Sequence, residues 1–78
     1  MPLTTEQRRA LMILAGARNG VTEALMLANG FKTKVLAGLV LAGHATVVSE
    51  IVRAGAGPTM KVERYTITDD GRQALLKG

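Results

Sequence analysis

The chain contains no cysteine and no tryptophan, and its only aromatic residues are Phe31 and Tyr65. Without thiols it forms no disulfide and offers no thiolate to a metal ion, which is typical of proteins in a reducing cytoplasm. Proteins that bind single-stranded nucleic acids usually stack bases on several exposed aromatic side chains. The scarcity of aromatics therefore argues against an RNA-recognition sheet. From the lack of cysteine we expect a cytoplasmic protein.

Residues that carry out catalysis are equally scarce. His44 is the only histidine, and a lone histidine is more often half-buried packing than a ligand or a base. Ser49 has no base implied by the sequence, and Asp69 and Asp70 lie where they would begin a helix. No metal-ligand spacing is present. The sequence predicts no enzymatic activity, no cofactor and no metal.

Long hydrophobic segments are also missing. The stretch 35–48 is apolar except for His44 and Thr46, but it is too short to span a bilayer. Residues 10–17, which follow two arginines, resemble the core of a signal peptide. Thr4 and Gln7, however, have the spacing of a helix capping box. We therefore expect a helix there and no contact with a membrane.

A modest excess of positive charge is what the composition does contain. The 78 residues include 10 lysines and arginines and 6 acids, which gives a net charge of +4. This length predicts one small domain over residues 1–78. A basic domain of this size suits a polyanionic partner, although the same charge also serves solubility alone. Charge by itself leaves both interpretations open.

The first half of the chain predicts three helices. Helix 1 should run from Thr4 or Thr5 to about Arg18 and end at Asn19-Gly20. Its predicted buried face comprises Ala10, Leu11, Leu14 and Ala17, with Leu3 near it. Thr22 should cap helix 2, which would carry Leu25, Met26 and Ala28 into the core and end at a left-handed turn at Asn29-Gly30.

Helix 3 should begin at Lys32 or Thr33 and end at Gly43. Steps of about 100° per residue divide it into two faces. The predicted buried face comprises Leu36, Leu39, Val40 and Gly43, and the outward face comprises Lys34, Ala37, Gly38 and Leu41. The crossing of helices 2 and 3 at Gly30 has the spacing of a helix-turn-helix.

The second half predicts a hairpin and a last helix. Residues 46–53 and 60–68 are rich in β-branched side chains and alternate as strands do, with the turn Gly55–Pro58 between them. Tyr65 and Ile67 should share one face of the second strand. Residues 71–77 should form a short helix, with two acids at its N-terminus and Lys77 near its C-terminus.

Two stretches resemble the winged helix-turn-helix superfamily of bacterial regulators. One is LMLANGFKTKVLAGL with the following LVLAGHAT, and the other, residues 65–75 (YTITDDGRQAL), is similar to the family's Tyr-x-Leu-Thr-x-x-Gly-x-x-x-Leu signature. The resemblance implies an α+β winged helix-turn-helix: a three-helix bundle, a two-stranded β-hairpin wing and a short C-terminal helix, in the order ααα-ββ-α. Met26 departs from the family, which usually has a small residue there, and would push the two helices apart.

The resemblance also implies a function, the binding of duplex DNA by a small transcriptional regulator or accessory protein. The implied DNA contacts are Lys32, Thr33, Lys34 and Gly38 in helix 3 and Arg53, Lys61 and Arg64 in the wing, with Arg8 and Arg9 as further candidates. Beyond Lys34, the outward face of helix 3 bears no side chain that forms hydrogen bonds with base edges. We therefore expect limited sequence specificity.

Two alternatives remain open at this point. The apolar outward face of helix 3, with Ala37, Gly38 and Leu41, suits a homodimer or a protein partner as well as it suits DNA. The cations of the wing, in turn, are also suited to protecting the edges of the hairpin against other sheets. Glu50 and Glu63 alternate with them and could pair with them across the strands.

Overall fold

The described part of the chain, residues 3–53 and 55–77 of a computed structural model, contains four helices and three strands. They are α1 (Thr5–Ala15), β1 (Val21–Thr22), α2 (Glu23–Ala28), α3 (Thr33–Leu41), β2 (Ala45–Arg53), β3 (Thr59–Ile67) and α4 (Asp69–Leu76). The strands form one antiparallel sheet in the order β1-β3-β2. The predicted α+β class, the helices and the hairpin are confirmed.

Helix α1 begins as predicted but ends earlier. The Thr4 hydroxyl accepts from the Gln7 N–H at 3.1 Å, and the Thr4 N–H donates to Gln7 Oε1 at 3.0 Å, so the capping box is complete. The helix ends at Ala15 rather than Arg18, with Gly16 as its C-cap. The left-handed residue Gly20 (φ 82°) lies further on, where it directs the chain into β1.

Strand β1 was missed by the sequence pattern, because two residues are too few to show an alternation. Val21 pairs with Tyr65 and Thr22 with Arg64. A Cβ at Gly20 would lie 2.5 Å from the Tyr65 carbonyl oxygen, so only glycine lets the chain approach β3 here. The element order is therefore αβααββα, and not ααα-ββ-α.

Helix α2 buries less than the sequence suggested. Thr22 caps it as predicted, accepting from the Leu25 N–H at 3.3 Å. Of the three residues expected in the core only Met26 is buried, whereas Leu25 and Ala28 are exposed. A helix of six residues has fewer than two turns and so presents a single position to the core. Met26 is fully buried there and fills the core.

Helix α3 follows the Gly30 turn, as expected, and ends at Leu41. Gly30 has φ 93°, and Phe31 directly after it is buried. Leu36 and Leu39 are fully buried, but Gly43 lies beyond the helix and is exposed, because its φ of 80° ends the helical path. The prediction that Gly43 belongs to the buried face is wrong.

The core lies at one end of the molecule, where the helices pack on the base of the sheet. Its buried residues are Ala10, Leu11, Leu14, Val21, Met26, Phe31, Leu36, Leu39, Ala45, Tyr65 and Ile67. Tyr65 and Ile67 share a face, as predicted, but after Ala45 every residue of β2 is exposed. The outer part of the hairpin therefore projects as an arm, and the molecule measures 47 × 22 × 20 Å. Among the described residues no helix is long and apolar enough to cross a membrane.

Candidate functional site

The N-terminal end of α3 presents a cluster of polar side chains to solvent. Lys32, Thr33 and Lys34 are all exposed, and the Lys32 side chain makes no capping hydrogen bond. No acidic residue lies in the first turn of this helix. The partial positive charge of the helix N-terminus adds to that of the two ammonium groups, so this end of α3 attracts anions.

Two neighbouring anchors hold this end of α3 in place. Gly30 turns the chain, and Phe31 packs into the core immediately before the helix. One turn later Leu36 is fully buried. The three polar residues lie between these anchors and therefore point away from the body of the molecule.

The other residues of the predicted outward face of α3 differ in their exposure. Ala37 is exposed and Leu41 is 88% exposed, as expected. Gly38 is half-buried instead, because the Gln7 side chain of α1 lies close to it. A Cβ added at Gly38 would be only 3.3 Å from Nε2 of Gln7. Gly38 thus belongs to a shallow open groove of about 530 Å³ between α1 and α3. The groove is lined by Thr4, Thr5, Glu6, Gln7, Lys34, Val35 and Gly38.

The three candidate cations of the hairpin lie on two faces. Arg53 pairs with Thr59 and Ile51 with Lys61, which places Arg53, Ile51 and Lys61 on one face because paired residues share a face. Arg64 pairs with Val48 and so lies on the opposite face. The structure therefore brings Arg53 and Lys61 together and separates Arg64 from them.

Ion pairs within the hairpin engage two of these cations. Arg64 Nε donates to Glu50 Oε1 at 2.9 Å, and Lys61 Nζ lies 3.6 Å from Glu63 Oε1. The Ser49 hydroxyl also donates to Glu63, at 3.0 Å. The predicted pairing across the strands is confirmed for Glu50 with Arg64, whereas Glu63 contacts Lys61 of its own strand β3. Exposed pairs of this kind are weak, so they lower the local charge without fixing the side chains.

The arginines of α1 differ in their surroundings. Arg8 is half-buried and its Nη1 donates to the Leu75 carbonyl oxygen at 3.3 Å, which satisfies one of the last carbonyls of α4. Arg9 is exposed. Arg8 is thus engaged in holding α1 and α4 together, a contact that helical periodicity alone does not reveal.

A contact between Glu23 and Tyr65 was not foreseen from the sequence. The Tyr65 hydroxyl donates to Glu23 Oε2 at 3.2 Å and joins the start of α2 to β3. Burial raises the pKa of Tyr65 above its ordinary value of 10.0, and the nearby carboxylates of Glu23 and Glu63 raise it further. The pair is 42 residues apart in the sequence, so no local pattern signals it.

His44 lies half-buried at the junction of α3 and β2. Its main chain is fully used, since the N–H donates to the Leu39 carbonyl at 2.9 Å and the carbonyl accepts from Thr68 at 3.0 Å. Within residues 3–53 and 55–77, no three histidine, cysteine or acidic side chains are grouped as a metal ion would require.

The elements and contacts above define the class of protein: a small α+β domain whose helices pack on one end of a three-stranded antiparallel sheet. Comparisons with family models, curated proteins and solved structures find no match to the chain.

Proposed function

We propose that this domain is a winged helix-turn-helix that binds duplex DNA, with α3 as the recognition helix and the β2–β3 hairpin as the wing. The observation that carries the proposal is the start of α3, where Lys32, Thr33 and Lys34 are exposed together and no acid lies in the first turn. Helix N-termini with flanking cations are suited to phosphate oxygens.

The hairpin supports the same proposal. It projects from the body, and Arg53 and Lys61 share one of its faces. A β-ribbon with cations on one face is suited to the phosphates beside a groove. Arg64 contributes less, because its guanidinium already contacts Glu50, and the charge of Lys61 is partly offset by Glu63 at 3.6 Å.

The chemistry of α3 also limits the type of binding. Past Lys34 the exposed residues Ala37 and Leu41 have no side-chain donor or acceptor, so base edges can be read only from the start of the helix or from the wing. Binding should then depend mainly on phosphate contacts and be sensitive to salt. A role as an accessory DNA-binding protein or a regulator of limited specificity agrees with this surface.

The proposal is tested by reversing charge at the start of α3. Lys32→Glu combined with Lys34→Glu should abolish the retardation of a random duplex in a low-salt gel. Replacing both lysines with alanine removes their charge without reversing it. This double variant should bind more weakly, and its slope of log affinity against log salt should be smaller by about 2, since two phosphate contacts are lost.

The matched control carries the same change of charge on α4. Arg72→Glu with Lys77→Glu alters two exposed residues outside the proposed surface and should retain retardation. If both double variants lost retardation equally, the loss would reflect the change in net charge and not the position of the lysines. A wild-type chain that retards no duplex at low salt contradicts the proposal outright.

A second candidate function is supported by Leu41. This side chain is 88% exposed near the end of α3, and with Ala37 it forms an apolar surface that suits a protein partner or a second copy of the chain. Loss of self-association in the Leu41→Lys variant, measured by sedimentation velocity, would support that surface.

A further inference from the structure

The outer edge of β2 is a long, open strand edge. In the sheet order β1-β3-β2, strand β2 has β3 on one side and, among the residues that the structure describes, no strand on the other. All nine of its residues pair with β3 in unbroken register, from Ala45 with Ile67 to Arg53 with Thr59. Its pairing with β3 is therefore free of bulges, and the edge is about 30 Å long at the usual rise per residue.

The register identifies which main-chain groups face outward. The Thr68 N–H donates to the His44 carbonyl, so the hydrogen-bonded pairs with β3 fall on the even-numbered residues of β2. The pairing of Val21 with Tyr65 agrees, because Tyr65 must direct its main chain toward β1 and away from Val47. The odd-numbered residues, among them Val47, Ser49 and Ile51, thus direct N–H and C=O groups at the open edge.

This edge has little of the usual protection against strand pairing. Natural edges carry charged side chains, especially lysine, or proline, bulges or a covering element; β2 (ATVVSEIVR) contains neither lysine nor proline, and its only charged residues are Glu50 and, at its end, Arg53. Its apolar residues are exposed on both faces: Val47 and Ile51 on one, Val48 and Val52 on the other. An edge with these properties is a template for another strand.

We propose that β2 pairs with β2 of a second copy of this chain, antiparallel and symmetric about Ser49, so that the two sheets become one. Ser49 is the midpoint of the strand, and this register pairs all nine residues. It places Val47 opposite Ile51 of the other copy, and Val48 opposite Glu50. No two like charges lie directly opposite each other.

Charge favours a second copy over a nucleic acid at this particular edge. Residues 45–67 carry three cations and two acids, a net charge of +1, and Glu50 and Glu63 each contact a cation. The remaining charge of the molecule lies elsewhere, so two arms meet with little repulsion. Along the edge itself, residues 45–52 contain one acid and no cation, so the strand edge offers phosphates no partner, whereas Arg53 and Lys61 lie nearer the hairpin turn.

The area available sets the strength of this association. An edge about 30 Å long and about 10 Å thick buries less than the roughly 800 Å² per partner of a standard stable complex. The dimer should therefore be reversible and depend on concentration. We expect its dissociation constant between about 10 μM and about 1 mM, the range of weak complexes.

Sedimentation velocity across that concentration range, in the absence of DNA, tests the proposal. The wild type should shift from monomer to dimer, and Ser49→Lys should remain monomeric because it places two ammonium groups at the symmetry axis. Within one chain the introduced lysine faces Glu63, so the hairpin is retained, which circular dichroism and thermal unfolding verify. Leu41→Lys adds the same charge on α3 and should dimerise as the wild type does.

Two results would overturn the proposal: a wild type that stays monomeric throughout, or a dimer that survives Ser49→Lys. A dimer lost only in Leu41→Lys would assign the interface to α3. The gel experiment above is independent of both, because it reports on Lys32 and Lys34.

A disulfide cross-link between two copies tests the proposed register of the β2–β2 pair. The chain has no cysteine, so Ser49→Cys introduces a single thiol. Opposed residues of a hydrogen-bonded antiparallel pair have Cα atoms about 5.5 Å apart, within disulfide range. Mild oxidation should therefore cross-link Ser49→Cys at least tenfold faster than Leu41→Cys. Equal rates would contradict symmetry about Ser49.

Discussion

At the scale of single residues, Tyr65 joins three parts of the molecule. Its ring lies in the core, it lies opposite Val21 in β1 and Val47 in β2, and its hydroxyl donates to Glu23. Burial and the two nearby carboxylates all disfavour the phenolate, which is why the pKa of Tyr65 is raised. The hydroxyl thus stays protonated and can donate to Glu23 at neutral pH.

The pKa of Tyr65 predicts how stability changes in alkali. Because the folded pKa lies above the unfolded value of 10.0, the contribution of Tyr65 to the free energy of unfolding is fully present below pH 10 and is lost as the pH rises through the folded pKa. Thermal unfolding from pH 8 upward should show this decline, and Tyr65→Phe should flatten it. A decline of the same size in Tyr65→Phe would assign it to other groups.

The same pKa can be titrated directly, since Tyr65 is the only tyrosine and there is no tryptophan. Glu23→Gln removes a charge beside the phenol and should lower the pKa of Tyr65 toward 10.0 in an absorbance titration. Glu6→Gln, which neutralises an exposed acid in α1, should leave the pKa of Tyr65 unchanged.

At the scale of elements, α4 packs close to the junction between α3 and β2. Gly71 in its first turn is buried, and an added Cβ would collide with the His44 carbonyl oxygen and the Ile67 side chain. The Thr68 hydroxyl accepts from the Gly71 N–H at 3.0 Å and donates to the Gly43 carbonyl at 2.7 Å. The glycine of the 65–75 motif is therefore required by close approach of two backbones.

Gly71→Ala should consequently destabilise the protein by about 1–3 kcal/mol, the usual cost of adding volume to a packed site. The matched control is Gly16→Ala: its φ is −84° and its nearest neighbours would be 3.7 Å away, so it should be neutral or slightly stabilising. Urea unfolding of both variants measures the difference. Equal stabilities would show that α4 shifts to make room.

At the scale of the whole molecule, the folding energy is concentrated in the body and the arm contributes little. The core residues lie where the helices meet the base of the sheet, whereas Val48, Ile51, Val52 and Met60 of the hairpin are between 45 and 75% exposed. Apolar surface that folding leaves in water does not stabilise the monomer. Such residues are available for contacts with another molecule.

Two truncations of similar size test this division. Leu36→Ala should cost about 2–5 kcal/mol, because the side chain is fully buried in the core. Ile51→Ala should cost less than about 1 kcal/mol, the span of strand preference at exposed sites. Urea unfolding at low protein concentration, where the chain is monomeric, compares them. A large cost at Ile51 would mean that the arm packs against the body.

The sequence alone determined the local elements. Threonine caps, the Gly30 turn and the alternation of β-branched residues act over three or four positions, and α1, α2, α3, the hairpin and α4 were therefore predictable within a few residues. Ala10, Leu11, Leu14, Leu36 and Leu39 were placed in the core for the same reason, since helical periodicity marks a buried face. The exposed lysines at the start of α3 followed from the same periodicity.

Only the tertiary structure decided what depends on distant contacts. Strand β1 exists because Gly20 can approach Tyr65, Arg8 is engaged because α4 ends beside it, and Gly38 is half-buried because Gln7 lies across from it. The open edge of β2 likewise follows from the sheet order. These features join residues far apart in the chain, where local preferences have no influence and packing alone determines which groups remain free.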